Sequence, residues 1–150
     1  MDIEIEDASI RHLDALYEIE KQSFSEEAFS KQQIAYLLTD YNAISLVALM
    51  DGELSGFIIG RIDLMRNHPV GHIMTIDVVP VHRRKGIGQK LMLEIEALFK
   101  QKGVRECRLE VRESNLTAIS LYEKLGYKKI SKLENYYGES HGLYLKKILL

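Results

Sequence analysis

The residues best placed to do chemistry gather around a glycine turn, Val78-Val-Pro-Val-His-Arg-Arg-Lys-Gly-Ile-Gly-Gln-Lys-Leu91. An apolar run stops at Pro80, then Arg83, Arg84 and Lys85 concentrate positive charge, and Gly86 and Gly88 open a segment of helical spacing. A helix that starts there exposes unpaired backbone N–H groups at the positive end of its dipole. Glycine lets an anion come close to that backbone, so the segment suits a phosphate. It is not a Walker loop, because Lys90 is followed by Leu91 rather than Ser or Thr, and Leu91 also occupies the third small position of a dinucleotide fingerprint. A solvated basic turn would show the same residues, so the segment alone leaves both readings open. A nucleic-acid patch is disfavoured, since the basic run is short and no aromatics interleave with it.

Three further side chains could move protons. Glu110 alternates with Arg108 and Arg112 on one side of an apolar-alternating run, with Cys107, Leu109 and Val111 on the other. Such a row reads as a solvated line of cross-strand charges, yet a central strand in this class is usually covered on both faces, which makes a charged row on it worth explaining. His72 lies in Gly71-His-Ile-Met-Thr-Ile-Asp-Val-Val79, where strand alternation puts it on one face with Met74, Ile76 and Val78. Tyr122 shares a helical pattern with Ala118, Ile119, Leu121 and Leu125, which suits a core tyrosine as well as a functional one. Cys107 is the only cysteine, so no intrachain disulfide or cysteine-rich metal site is expected, and its apolar setting reads as packing.

The elements that must position these groups follow from periodicity. Ile3 and Ile5 alternate with Glu4 and Glu6 as a short strand, and Ser9 can cap a helix carrying Leu13, Leu16, Tyr17 and Ile19. A second helix follows Ser30 with Ile34, Leu37 and Leu38. Strands over 44–50 and 54–64 flank the hairpin signal Asp51-Gly52, and a turn at Arg66-Asn-His-Pro69 leads to a strand over 71–79. A long helix runs from near Gly86 to a stop at Gly103, then a strand over 106–112, a helix over 116–125 stopped by Gly126, and strands over 127–133 and 143–148. Alternation of this kind gives an α/β (α+β) fold with one mixed sheet of about seven strands and about four helices, in a single domain over 1–150.

Bulk composition agrees with a globular protein: 46% hydrophobic, 28% charged, net charge -2. That balance gives no pull toward nucleic acid or an anionic membrane. The acidic N-terminus lacks the regions of a signal peptide, and no apolar stretch nears the roughly 20 residues that span a bilayer, so a cytoplasmic location is the default expectation.

Arg83-x-x-Gly86-x-Gly88, after a strand and before a long helix, resembles motif A of the GNAT acetyltransferases. Leu109-Glu-Val-Arg-Glu-Ser-Asn115 with Ala118-Ile-Ser-Leu-Tyr-Glu-Lys-Leu-Gly-Tyr127 resembles the second half of RimI-type Nα-acetyltransferases almost position by position. With Asn135-Tyr-Tyr137 the likeness covers about residues 70–150, and the N-terminal third matches mainly in its order of elements. The resemblance implies acetyl-coenzyme A as cosubstrate and no metal. It implies a pyrophosphate cradle of Arg84, Lys85, Gly86, Ile87, Gly88 and Gln89, with the backbone of Ile76, Asp77 and Val78 along the pantetheine arm and Asn115 both capping a helix and touching the cofactor. It implies Glu110 as general base, Tyr122 as general acid to the departing thiolate and in contact with coenzyme A, and His72 as a second candidate at a position where relatives carry a catalytic tyrosine or histidine. A backbone N–H near Val78 would face the developing oxyanion.

The substrate implied is a protein or peptide N-terminus. An α-amine near pKa 8 is roughly one-tenth neutral at pH 7, against a few in ten thousand lysine side chains, so a moderate base suits the α-amine. The resemblance places Tyr136 and Tyr137, on the loop between the last two strands, opposite the Phe24 to Phe29 loop as walls of a peptide groove. Ser25 stands where a proline is often found. The expected state is a monomer or weak homodimer. Alternatives are an acetyltransferase of small amines or of protein lysines, and a non-catalytic acyl-CoA-binding module.

Overall fold

The computed structural model describes residues 2–24 and 27–150, so Ser25 lies outside the described residues. Its elements, in chain order, are β1 (Ile3–Asp7), a 3-10 turn at Ile10–His12, α1 (Leu13–Phe24), α2 (Lys31–Thr39), β2 (Ala43–Met50), β3 (Glu53–Met65) and β4 (His68–Val78). They continue with a 3-10 turn at Pro80–His82, α3 (Ile87–Gln101), β5 (Glu106–Arg112), α4 (Leu116–Lys124), β6 (Lys128–Tyr137) and β7 (Ser140–Ile148). Local chemistry sets several boundaries. Ser30 accepts from the Gln33 N–H while the Gln33 side chain accepts from the Ser30 N–H, a reciprocal cap for α2. Gly103 and Gly126 take positive φ where α3 and α4 end.

One seven-stranded sheet runs β1-β2-β3-β4-β5-β7-β6. All neighbours are antiparallel except β4 and β5, which are parallel and joined through α3. α3 packs on one face over a core with Ile87, Leu91, Ile95 and Phe99, and Tyr122 of α4 belongs to the same cluster. On the other face Leu16 and Ile19 of α1 and Ile34 and Leu37 of α2 cover Val47, Phe57 and Ile59. Gly60 and Gly71 let α3 lie flat on the sheet: a Cβ at Gly71 would stand 2.6 Å from the Phe99 ring, and one at Gly60 2.8 Å from it. Gly71→Ala should therefore lower stability by about 1–3 kcal/mol, the usual cost of overpacking a filled core. A denaturant midpoint close to the unaltered protein's would contradict this packing account.

Two expectations about strand limits need correction. Pro69 belongs to β4, leaving Arg66 and Asn67, both at positive φ, as the turn. Asn135, Tyr136 and Tyr137 lie in β6 rather than in a loop, because Asn135 at φ 54 and an irregularity between Leu133 and Tyr137 let the strand resume. A third correction concerns facing. The β3–β4 register jumps from Ile59↔Thr75 to Gly60↔Ile73, leaving Met74 as a bulged residue. A bulge shifts alternation by one. Ile76 and Val78 therefore pack toward α3, whereas Met74 joins the α1/α2 cluster. His72 is on the α1/α2 face, so it does not share a face with Ile76 and Val78.

Candidate active site

β4 and β5 pair only at Gly71↔Cys107 and His72↔Arg108. Beyond that point they part, just before the bulge at Met74 bends β4. A wedge opens toward the ends of both strands. Val79 N–H donates to Ser55 O at 2.9 Å, so by antiparallel alternation Asp77 also turns its backbone toward β3. Val78 and Ile76 direct N–H and C=O to the wedge side instead, where β5 no longer meets them and Val78 O accepts from Arg83 Nε at 3.1 Å. Asp77 is thus separated from the two residues grouped with it by sequence.

At the mouth of the wedge lies the start of α3. Arg84 and Gly86 adopt positive φ, 62° and 85°, which curls the backbone so that successive N–H groups face one concavity. The helix closes its first turn only at Lys90 N–H to Gly86 O, 3.0 Å, leaving the preceding first-turn donors without a helical acceptor. A Cβ added at Gly86 would meet nothing within 4 Å, and at Gly88 only Leu121 at 3.4 Å and Val78 at 3.9 Å, so both glycines keep space open rather than relieve an internal clash. Arg84 and Lys85 are exposed, while the Ile87 side chain is buried and offers only its backbone. These donors, the open concavity and the local charge fit a diphosphate.

At the closed end, where pairing stops, the two rival bases meet. His72 Nε2 lies 2.7 Å from Glu110 Oε1 and 3.0 Å from Oε2. A carboxylate can only accept, so Nε2 carries the proton there. Nδ1 faces Asp63 Oδ2 at 3.6 Å, and Asp63 accepts from Arg61 Nε through Oδ1 at 2.8 Å. Burial pulls the imidazole down, but the hydrogen bond and charge of Glu110 with the charge of Asp63 overcome it, and the net direction is up. The charged row on β5 sits on the α1/α2 face, which the two helices cover over β2 to β4, so Glu110 stays reachable at 18% exposure.

Tyr122 of α4 belongs to the α3-side core, its ring 5.9 Å edge-on to that of Tyr127. Among the described residues its hydroxyl has no hydrogen-bond partner, and burial, then the charges of Asp77 and Tyr137, push the phenol up. Asn115 caps α4, its side chain accepting from Ala118 N–H at 3.2 Å. Cys107 is fully buried on the opposite face from Glu110, its thiol pushed up to about 12 by burial first, which leaves it inert.

Two residues to which sequence reasoning gave no role, Glu27 and Arg112, hold the outer wall of the open face beside the expected Tyr136 and Tyr137. Arg112 pairs with Glu27 and lies 5.0 Å above the Tyr137 ring, and Tyr137 meets Tyr136 edge-on at 4.9 Å. The α1–α2 segment and the end of β6 are thereby joined across β5. Burial, then the charges of Tyr136 and Glu110, push Tyr137 up to about 12, so it stays a neutral donor. Gly142 leaves room for both rings, since a Cβ there would stand 3.0 Å from Tyr137 and 3.3 Å from Tyr136. Phe24 is half-buried, and Phe29 packs into the α1/α2 core rather than lying free. Glu20 had a sequence signal: it falls on the Leu13, Leu16, Tyr17 stripe of α1, where a charge is out of place.

The profile described as the acetyltransferase (GNAT) family matches residues 13–127. The chain belongs to the GNAT acetyltransferases. The N-alpha-acetyltransferase of Sulfurisphaera tokodaii is 38% identical over 117 residues, covering 72% of this chain and 70% of that protein. The spermidine N(1)-acetyltransferase of Thermoplasma acidophilum is 31% identical over 148 residues, covering 85% and 89%. The crystal structure of Ard1 from Thermoplasma volcanium superposes with a TM-score of 0.89 at 27% identity, covering 100% of this chain and 99% of that one. GNAT enzymes take their acetyl group from acetyl-CoA, and the cradle and wedge are the parts of this fold suited to its diphosphate and its extended arm. Gly86→Glu should weaken acetyl-CoA binding at least about tenfold, or about 1.4 kcal/mol, by setting a negative charge where phosphate would sit. Gly86→Ala carries the backbone strain without the charge, and calorimetry giving equal affinity for the two variants would contradict the cradle.

Proposed function

We propose that this GNAT enzyme acetylates the N-terminal α-amine of a protein or peptide. The observation that carries the reading is the His72–Glu110 pair, placed where β4 and β5 part. Bound acetyl-CoA supplies a thioester carbonyl open to an amine. The chain's own residues do the rest. The α3 cradle holds the diphosphate, and the wedge-facing groups of Ile76 with the N–H of Val78 take up the amides of the arm, Val78 O being held by Arg83 Nε. Ile76 N–H is the oxyanion donor in this arrangement, because Val78 lies two residues, about 7 Å, further from the dyad. Glu110 accepts the amine proton directly or through water. His72 holds Glu110 by its Nε2–H and keeps Nδ1 turned to Asp63, so it positions the base rather than acting as one. Tyr122 hands its proton to the leaving thiolate.

An α-amine suits this base, since far more of it than of a lysine side chain is neutral at pH 7. The Glu27–Arg112–Tyr137 wall adds a surface that an extended peptide would need and a small polyamine would not. The likeness to a spermidine acetyltransferase is the ground for the second reading, a small-amine enzyme. A cytoplasmic setting, and action as a monomer or weak homodimer, go with the first. Thiol release from acetyl-CoA should appear with a peptide bearing a free N-terminus, and be nearly absent with the same peptide N-terminally blocked but carrying a free lysine. Equal or better turnover of spermidine would favour the second reading.

A further inference from the structure

We propose that a single buried proton, shared along Glu20, Thr75 and Asp77, straps the segment carrying Phe29 to the end of β4 and thereby positions the acceptor groove. Glu20 and Asp77 are 1% and 3% exposed, and Thr75 between them 6%. Thr75 Oγ1 lies 2.8 Å from Glu20 Oε1 and 2.9 Å from Asp77 Oδ1. A hydroxyl has one proton and can donate to one of these oxygens only. The other short contact needs a proton brought by a carboxyl, so the pair of acids holds one between them. Glu20 is the accepting member: its Oε2 takes the Phe29 N–H at 3.0 Å and its Oε1 the Thr75 hydroxyl. Asp77 is the donor, through Oδ1, to Thr75 Oγ1. Its Oδ2 is buried with no hydrogen-bond partner among the described residues, which a neutral carbonyl oxygen tolerates far better than half of a carboxylate.

The chain of bonds runs from Asp77 on β4, through Thr75, to Glu20 on α1 and on to the backbone at Phe29, just before Ser30 caps α2. Asp77 lies between Ile76 and Val78, whose backbones line the wedge. The strap therefore ties the wall of the acceptor groove to the strand that holds the donor, a step that rests on the peptide reading above. Burial first, then the charge and hydrogen bond of Glu20, push Asp77 up to about 9, with Thr75 and Arg83 acting the other way. Tyr122 of α4 is the other titratable group that feels it. Above that pH Asp77 ionises, faces the Glu20 carboxylate through a hydroxyl that can serve only one of them, and the strap loosens.

Asp77→Asn keeps a donor to Thr75 at every pH, Thr75→Ser keeps the hydroxyl, and Thr75→Val removes it. The infrared spectrum at pH 7 should show a protonated-carboxyl stretch that Asp77→Asn abolishes. Amide exchange at Phe29 should quicken in Thr75→Val and stay normal in Thr75→Ser. For the peptide substrate, KM should rise above about pH 9 in the unaltered enzyme by about three- to tenfold, the range one lost hydrogen bond gives, and stay level in Asp77→Asn with kcat and acetyl-CoA affinity little changed. Absence of the infrared band, or an Asp77→Asn variant whose KM follows pH as the unaltered enzyme's does, overturns the proposal. An unaltered enzyme that acetylates no peptide would sink the acceptor reading instead, and the infrared and exchange measurements would still decide the strap.

Discussion

Glu110→Gln is expected to lower kcat/KM for a peptide by about 10²- to 10⁴-fold, the range a positioned proton acceptor contributes. The amide keeps an oxygen to receive the His72 Nε2–H, now at 2.7 Å from Oε1, so the fold and the acetyl-CoA site should be little disturbed. The pH profile makes the test specific. His72 is raised because the hydrogen bond and charge of Glu110, with Asp63, outweigh burial. A cationic His72 opposes the arrival of another proton on Glu110, so kcat/KM should climb with pH as Nδ1 loses its proton, in addition to the rise that the α-amine's own titration near pKa 8 gives. In Glu110→Gln that charge is gone, and the titration of His72 should move to lower pH. An NMR titration of the imidazole reads this without activity. Unchanged kcat/KM would remove Glu110 from the role of base.

Tyr122→Phe is expected to slow kcat by about 10- to 100-fold, the lower part of the range for general acids because a thiolate leaves readily. The ring stays buried beside Tyr127 and only a hydroxyl without a partner among the described residues is lost, so stability should hardly move. Peptide KM and acetyl-CoA affinity should stay near their original values, since the hydroxyl matters when the thiolate departs rather than when the substrates bind. A variant with full kcat would show that the thiolate needs no protonation from Tyr122.

Element order and type were legible because the chain is locally consistent. Caps, glycine stops and apolar periods agree with the tertiary fold from β1 to β7. The glycine turn was legible as a helix start for the same reason, since Gly86 and the apolar period of α3 are local signals. What resisted reading depends on long-range register. The bulge at Met74 leaves no local mark, yet it moves His72 to the face of Glu110 and away from Ile76 and Val78. Glu110 and His72 stand 38 residues apart, and two weak candidates become one dyad only through the parallel pairing of β4 with β5. The extent of β6 escaped because Asn135 looks like a turn residue and acts as one within a strand. Glu20 and Asp77 carried a visible signal, a charge in an apolar stripe and a charge in an apolar strand, but their partnership is set by how α1 lies across β4.

The most direct measurement is a crystal structure with a conjugate in which the α-nitrogen of a short peptide is linked through an acetyl group to coenzyme A. The diphosphate should sit on the start of α3, the arm should run between β4 and β5, and the linked nitrogen should lie within direct or one-water reach of Glu110, about 3–6 Å. A conjugate seated in the wedge with its nitrogen turned away from the His72–Glu110 pair, or one bound elsewhere on the protein, would contradict the account.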